Sequence, residues 1–177
     1  MMQEWFQIKK NPDAMTLQGA KNFNAKNFPY FIDAETFSQI DDCVAYYKRG
    51  FYFVPCDIIF EPTFLIHDKL QQLFSLLEPE IEFKGVQLYE ENLNKKLPMP
   101  FYWLPYLKIT DAISEKSEVI QGKAKKLILK AEMLAEKRIA HCQLPAEDIW
   151  LVSLEAAECL LRRQPVGIFL ERVELAG

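Results

Sequence analysis

Two histidines, His67 and His141, and four cysteines, Cys43, Cys56, Cys142 and Cys159, are the only imidazoles and thiols in this chain of 177 residues. A metal site takes three or four convergent ligands, and these are scattered. The cysteine spacings match no metal or redox motif, so reduced thiols, mostly buried as small hydrophobes, are expected. The six glycines stand singly, which excludes a Gly-rich phosphate cradle. No apolar run approaches the ~18 residues of a membrane helix. The opening MMQEWFQIKK has no apolar stretch after a basic start, so no secretory signal is expected, and a cytoplasmic location is. Charge of one sign is also missing: 21 basic against 25 acidic residues give a net charge of −4. That argues against a nucleic-acid binder, which carries a basic excess.

What is present is apolar and aromatic. Half the residues are hydrophobic and 13% aromatic, thirteen of them Phe. One phrase occurs twice. FLIHDKLQQLFSLL is followed by KGVQLYE near the middle, and WLVSLEAAECLL by VGIFLERVEL at the end. Each copy reads as a strand, an amphipathic helix and a second strand. The pattern predicts an α+β fold: a single domain with a mixed or mainly antiparallel sheet, two principal helices packed on it, and two strand–helix–strand units. The spacing leaves the strands of each unit parallel or antiparallel.

Residues 1–60 read as an irregular N-terminal arm with a short helix and strand, part of the same domain. Glu4–Ile8 suits an edge strand, and Asn11–Tyr30 a surface loop. Ala34–Arg49 holds a short helix capped by Asp33, with Phe37, Ile40 and Val44 at helical spacing, stopped by Gly50. Phe51–Phe60 is a strand. In the first unit Thr63–Ile66 is a strand and Asp68 the helix cap, with Gln71 reaching back. Leu70, Leu73, Phe74 and Leu77 form the buried face. Phe83–Tyr89 is the return strand, and Asn92–Pro100 a loop. Phe101–Ile109 is extended and broken at Pro105. Lys126–Lys130 and Arg138–Leu144 are strands joined by a turn. In the second unit Ser153 caps a helix burying Ala156, Ala157, Leu160 and Leu161, and Gly167–Leu175 is the last strand.

No catalytic set accompanies this scaffold. Asp111 and Ser117 lack a nearby His and a nucleophile elbow, and read as turn residues. His141 and Cys142 are neighbours in a strand and point to opposite faces. The aromatics Phe101, Tyr102, Trp103 and Tyr106 and the carboxylates around Glu90 suggest a surface with an aromatic centre and a charged rim. The candidate partner-binding residues are Trp103, Tyr106, Asp111, Glu90 and Glu91. No catalytic residue, metal or cofactor is expected.

Three phrases in order carry a resemblance: FLIHDKLQQLF, then YLKITDAISEKSEV with Asp111, Ala112, Ser117 and Glu118, then IWLVSLEAAECLL with GIFLERVEL, where Ser153 and Gly167 fit. Over residues 61–177 the chain resembles a bacterial immunity-protein family that guards cells against polymorphic or contact-delivered toxins. This chain has His67 where the family usually has Ser. The resemblance implies a cytoplasmic, non-enzymatic α+β protein that binds one cognate toxin, not nucleic acid or membrane. The alternatives are a small hydrolase or transferase using Cys142 or Asp111, and a self-associating structural or regulatory module.

Overall fold

The computed structural model describes residues 4–13, 31–41, 43–47, 55–90 and 100–176. In chain order its elements are β1 (Trp5–Lys10), α1 (Ala34–Gln39), β2 (Cys43–Tyr47), β3 (Ile58–Ile59), β4 (Leu65–His67), α2 (Asp68–Leu77), β5 (Glu82–Glu90) and β6 (Phe101–Tyr106). Then come β7 (Glu118–Ile120), β8 (Lys123–Lys126), β9 (Ile128–Lys130), a 3₁₀ turn at Ala131–Leu134, β10 (Ile139–Leu144), β11 (Glu147–Ser153), α3 (Leu154–Leu161) and β12 (Ile168–Ala176). The fold is α+β and rich in strand.

The strands make two five-stranded sheets rather than one, plus the hairpin β7–β8. The first sheet runs β10-β11-β1-β12-β9, and the second, read from its far end, runs β3-β4-β6-β5-β2. In both, the first four strands pair antiparallel and the last joins parallel. The two strands of each strand–helix–strand unit are therefore parallel, with one antiparallel strand between them. That strand is β6 in the first unit and β1 in the second. The N-terminal strand is thus not an edge. It completes the sheet built by the C-terminal half.

The register is duplicated as well. His67 and Ser153 each end a strand and cap the following helix through a side-chain atom, accepting from Lys69 N and Ala156 N. One residue earlier, Ile66 pairs with Ile58 and Val152 with Ile139. His67 N–H donates to Asp57 O at 2.7 Å, and Ser153 N–H to Arg138 O at 2.9 Å, at matching places. Tyr102 lies opposite His67 and Val86, as Trp5 lies opposite Ser153 and Val173. Tyr102 and Trp5 are each 1% exposed.

Burial follows the helical spacing. Leu70, Leu73, Phe74 and Leu77 of α2 and Ala156, Ala157 and Leu160 of α3 enter one core with Ile66, Ile139 and Val152, so both sheets share it. Leu161, expected inside, is 54% exposed because the narrow face of α3 ends at Leu160. The other side of the second sheet is covered by α1, whose Phe37 packs with Ala45, Val86, Leu88, Tyr102 and Leu104. Asp33 caps α1, accepting from Thr36 N at 2.7 Å, and this bond holds its carboxyl below the usual range. The predicted helix stops at Gln39, and Val44 sits in a strand. Cross-strand pairing of β2 with β5 overrides the helical spacing there. Pro105 does not break β6: it remains in register with Phe83. The expected loops at Asn11–Tyr30 and Asn92–Pro100 lie largely outside the described residues, as does Gly50; of the strand expected at Phe51–Phe60, residues 51–54 lie outside them, and of 55–60 only Ile58–Ile59 is strand.

Residues 109–114 act as a strap. Ile109 bridges to His141 on β10, and Ile113 to Leu129 on β9, the opposite edges of the first sheet. Both edges thus lie within reach of a few extended residues. The sheet curls around Trp5, Ala112, Leu129, Ala140, Cys142, Ile149, Leu151 and Val173. Ser117 Oγ accepts from Ile128 N and donates to Ile128 O, both at 2.9 Å, replacing a ladder pair. The phrase TDAISEKSEV is therefore architectural. The β7–β8 turn places Gln121 and Gly122 at φ 51° and 77°. A Cβ at Gly122 would lie 3.0 Å from Ala146, so glycine is required there both for φ and for room.

Candidate binding cleft

Strands β1 and β11 pair from Trp5–Ser153 to Gln7–Leu151 and then diverge. β1 stays on β12 as far as Lys10, and β11 stays on β10 back to Glu147. The ladder between them is left unmade along Ile8–Lys10, and a cleft of about 230 Å³ opens there. Its far wall comes from the other half of the molecule, through Phe60, Glu61, Thr63 and Phe64. A smaller cavity of about 20 Å³ continues inward past Thr63 and Asp148 to His141, Pro105 and Tyr106.

Rings link the two halves at this place. Phe60 meets Phe64 edge-on at 5.4 Å. Phe64 stacks on Trp150 at 4.6 Å, and Trp150 on His141 at 4.6 Å. In the duplicated register Phe64 matches Trp150, each two residues before Ile66 and Val152, and Phe60 matches His141, each two residues after Ile58 and Ile139.

The polar lining sets the carboxylates of Glu61, Glu147 and Asp148 beside Gln7, Lys9, Lys10 and Thr63. Glu147 takes Gln7 Nε2 at 3.1 Å and Ala124 N at 2.8 Å, both neutral donors. Glu61 pairs with Lys10 at 3.4 Å, while Lys9 turns to Glu171 at 2.6 Å. Asp148 accepts from Trp150 Nε1 at 3.2 Å and faces His141 Nε2 with its other oxygen. Thr63 is 6% exposed, and its hydroxyl has no hydrogen-bond partner among the described residues.

His141 is the group that invites a catalytic reading, and its geometry opposes one. Nδ1 lies 2.9 Å from Leu107 O, an acceptor, and Nε2 lies against the Asp148 carboxylate. Both ring nitrogens therefore face acceptors, a carbonyl on one side and a carboxylate on the other. No ring nitrogen is free to take a proton from a nucleophile. Cys142 faces the opposite side of β10, inside the curled sheet. Burial pushes its thiol up to about 11, so it is not a thiolate near neutrality.

The residues singled out from sequence are dispersed. Trp103 is half-buried on the α2 side of β6, its indole N–H donating to Asp68 Oδ1 at 2.7 Å. Tyr106 lies on the other face, stacked on Phe37 at 5.0 Å. Asp111 projects from the strap with its side chain 85% exposed, 3.5 Å from Lys130. Glu90 ends β5 opposite Tyr47. Glu91 lies outside the described residues. The cleft residues Thr63, Glu61, Glu147 and Asp148 were missed, because only the divergence of β1 from β11 brings them together. Asp68, expected to cap α2, is its first residue, and His67 Nδ1 takes the Lys69 N–H instead at 3.0 Å. Among the described residues no group of three or more His, Cys, Asp or Glu side chains is placed to hold a metal ion, and no helix is long and apolar enough to cross a membrane.

The chain matches no protein-family model and no curated protein.

Proposed function

We propose that this chain is a non-enzymatic binding protein, a cytoplasmic immunity factor that neutralises a cognate bacterial toxin by occluding its active site. The observation that carries the reading is the cleft at the junction of the two halves. It is concave and ring-lined, rich in acceptors, and beside a histidine with both nitrogens engaged. Such a site suits recognition of another molecule's surface better than turnover. The ordered resemblance to toxin-immunity proteins supplies the class of partner. A preformed surface held by two sheets and a shared core costs little ordering on association.

The test is co-expression with the toxin-like product of a neighbouring reading frame. Survival of the cells and co-purification of the two chains are expected. Unprotected cells with every neighbouring candidate, or turnover of a small compound by the purified chain, count against the reading.

A further inference from the structure

The cleft between β1 and β11 has a chemistry of its own. Three carboxylates reach it, from Glu61, Glu147 and Asp148, and only Glu61 meets a lysine, Lys10 at 3.4 Å. Both oxygens of Glu147 are held by neutral donors, so no cation offsets its charge there. Each oxygen keeps a second lone pair free for a further donor. The Thr63 hydroxyl, 6% exposed, lines the cleft and is unpartnered among the described residues. A buried hydroxyl without a partner costs free energy unless something entering the site satisfies it. Phe60, partly exposed and backed by the buried Phe64, adds ring surface on which a flat cation can lie. Lys9 and Lys10 also line the cleft, but each is paired, Lys9 with Glu171 at 2.6 Å and Lys10 with Glu61, so against three carboxylates the lining carries a net negative charge.

We propose that this cleft binds one guanidinium or alkylammonium side chain presented by a protein partner. This deepens the immunity reading and rests on it for the source of the side chain. The volume of about 230 Å³ suits a single long side chain, not a strand of peptide. The cation reaches Glu147 and Thr63 along the Phe60–Phe64 wall. Arginine matches this arrangement best, because its planar fork both stacks on rings and donates in pairs to a carboxylate.

The test uses the full chain labelled with ¹⁵N, with the Trp150 indole N–H as reporter, since it donates to Asp148 at 3.2 Å. Butylguanidinium is titrated as the probe, with butyrate as the matched anion. A saturable shift of the Trp150 signal with butylguanidinium alone is expected. Glu147→Gln should weaken it about tenfold, as for loss of a charge-assisted hydrogen bond. Glu61→Gln, at an exposed position, keeps the fold and should weaken it less. An equal response to butyrate, no saturation, or unchanged affinity in both variants overturns the proposal. The two readings separate in cells. Full protection from a toxin by both variants removes the site and leaves the immunity reading standing. Guanidinium binding with no protection against any neighbouring toxin does the reverse.

Discussion

Phe64 and Trp150 stack at 4.6 Å with an interplanar angle of 13°. Each is the second residue before its own sheet's core Ile66 or Val152, so the two rings are equivalents meeting face to face. A contact between equivalent surface positions is the isologous kind found in symmetric dimers, here made within one chain. It fastens the two sheets where the cleft begins.

That contact should be expensive to remove. Phe64→Ala is expected to lower stability by about 3–5 kcal/mol, the range for deleting a buried aromatic ring. A double-mutant cycle of Phe64→Leu with Trp150→Leu should give a coupling of about 0.5–1.5 kcal/mol. Urea unfolding followed by fluorescence and by far-UV circular dichroism should remain one coincident transition. Two separated transitions would show that the halves do not share a core.

Asp57 is a second fastening. Its carboxylate, buried at 6% exposure, accepts from Val166 N at 2.6 Å and pairs with Lys69 at 2.7 Å. It thereby holds the start of α2 to the turn before β12. Asp57→Ala should cost about 1.5–3 kcal/mol, the range for hydrogen bonds to a charged group. Denaturant midpoints measure it, and a loss below 0.5 kcal/mol would contradict this role.

His67 makes α2 sensitive to acid. Its Nδ1 accepts the Lys69 N–H, which only the neutral ring can do. Burial holds its pKa below the ordinary value of 6.5, with Lys69 adding to the effect and Asp57 and Asp68 opposing it. The folded value is the lower one, so the unfolded chain binds more protons in this range. Stability from this group is present above about pH 6.5 and is lost as pH falls through the folded value. His67→Ser, copying Ser153, should keep the cap and flatten the dependence of Tm on pH between about 7.5 and 5. An unchanged slope would refute the assignment.

Thiol reactivity should rank by burial. Cys142 is buried with its thiol raised to about 11, whereas Cys159 is only partly buried. Iodoacetamide at pH 8 should label Cys159 before Cys142, which it reaches only through unfolding, as read by peptide mass spectrometry. Rapid labelling of native Cys142 would favour the hydrolase alternative.

Much of the local structure was legible in the sequence. The 3.6-residue spacing gave the buried face of α2 without error, and Ser153 and Asp33 were correct as caps, because these features depend on neighbours within one turn. Val44 was misread because three residues at helical spacing cannot outweigh a strand partner 43 positions away, at Gln87. The aromatic run was visible but is not the cleft: Trp103 and Tyr106 face opposite ways across β6, and of the run only Tyr106 borders the inner cavity. Thr63 and Glu147 carry no local signal at all.

The duplicated strand–helix–strand phrase, the helix starts and the supply of apolar surface were determined by the order of residues alone, since each rests on periodicity and short-range hydrogen bonding. Tertiary structure alone decided that β1 enters the sheet of the C-terminal half, that ten of the described strands divide between two five-stranded sheets, and that β1 parts from β11 to open a cleft. The reason is that ladder bonds join backbone groups common to every residue. Alternation can tell a strand which face to bury, but which neighbour it pairs with, and where that pairing ends, is settled only when the whole core packs.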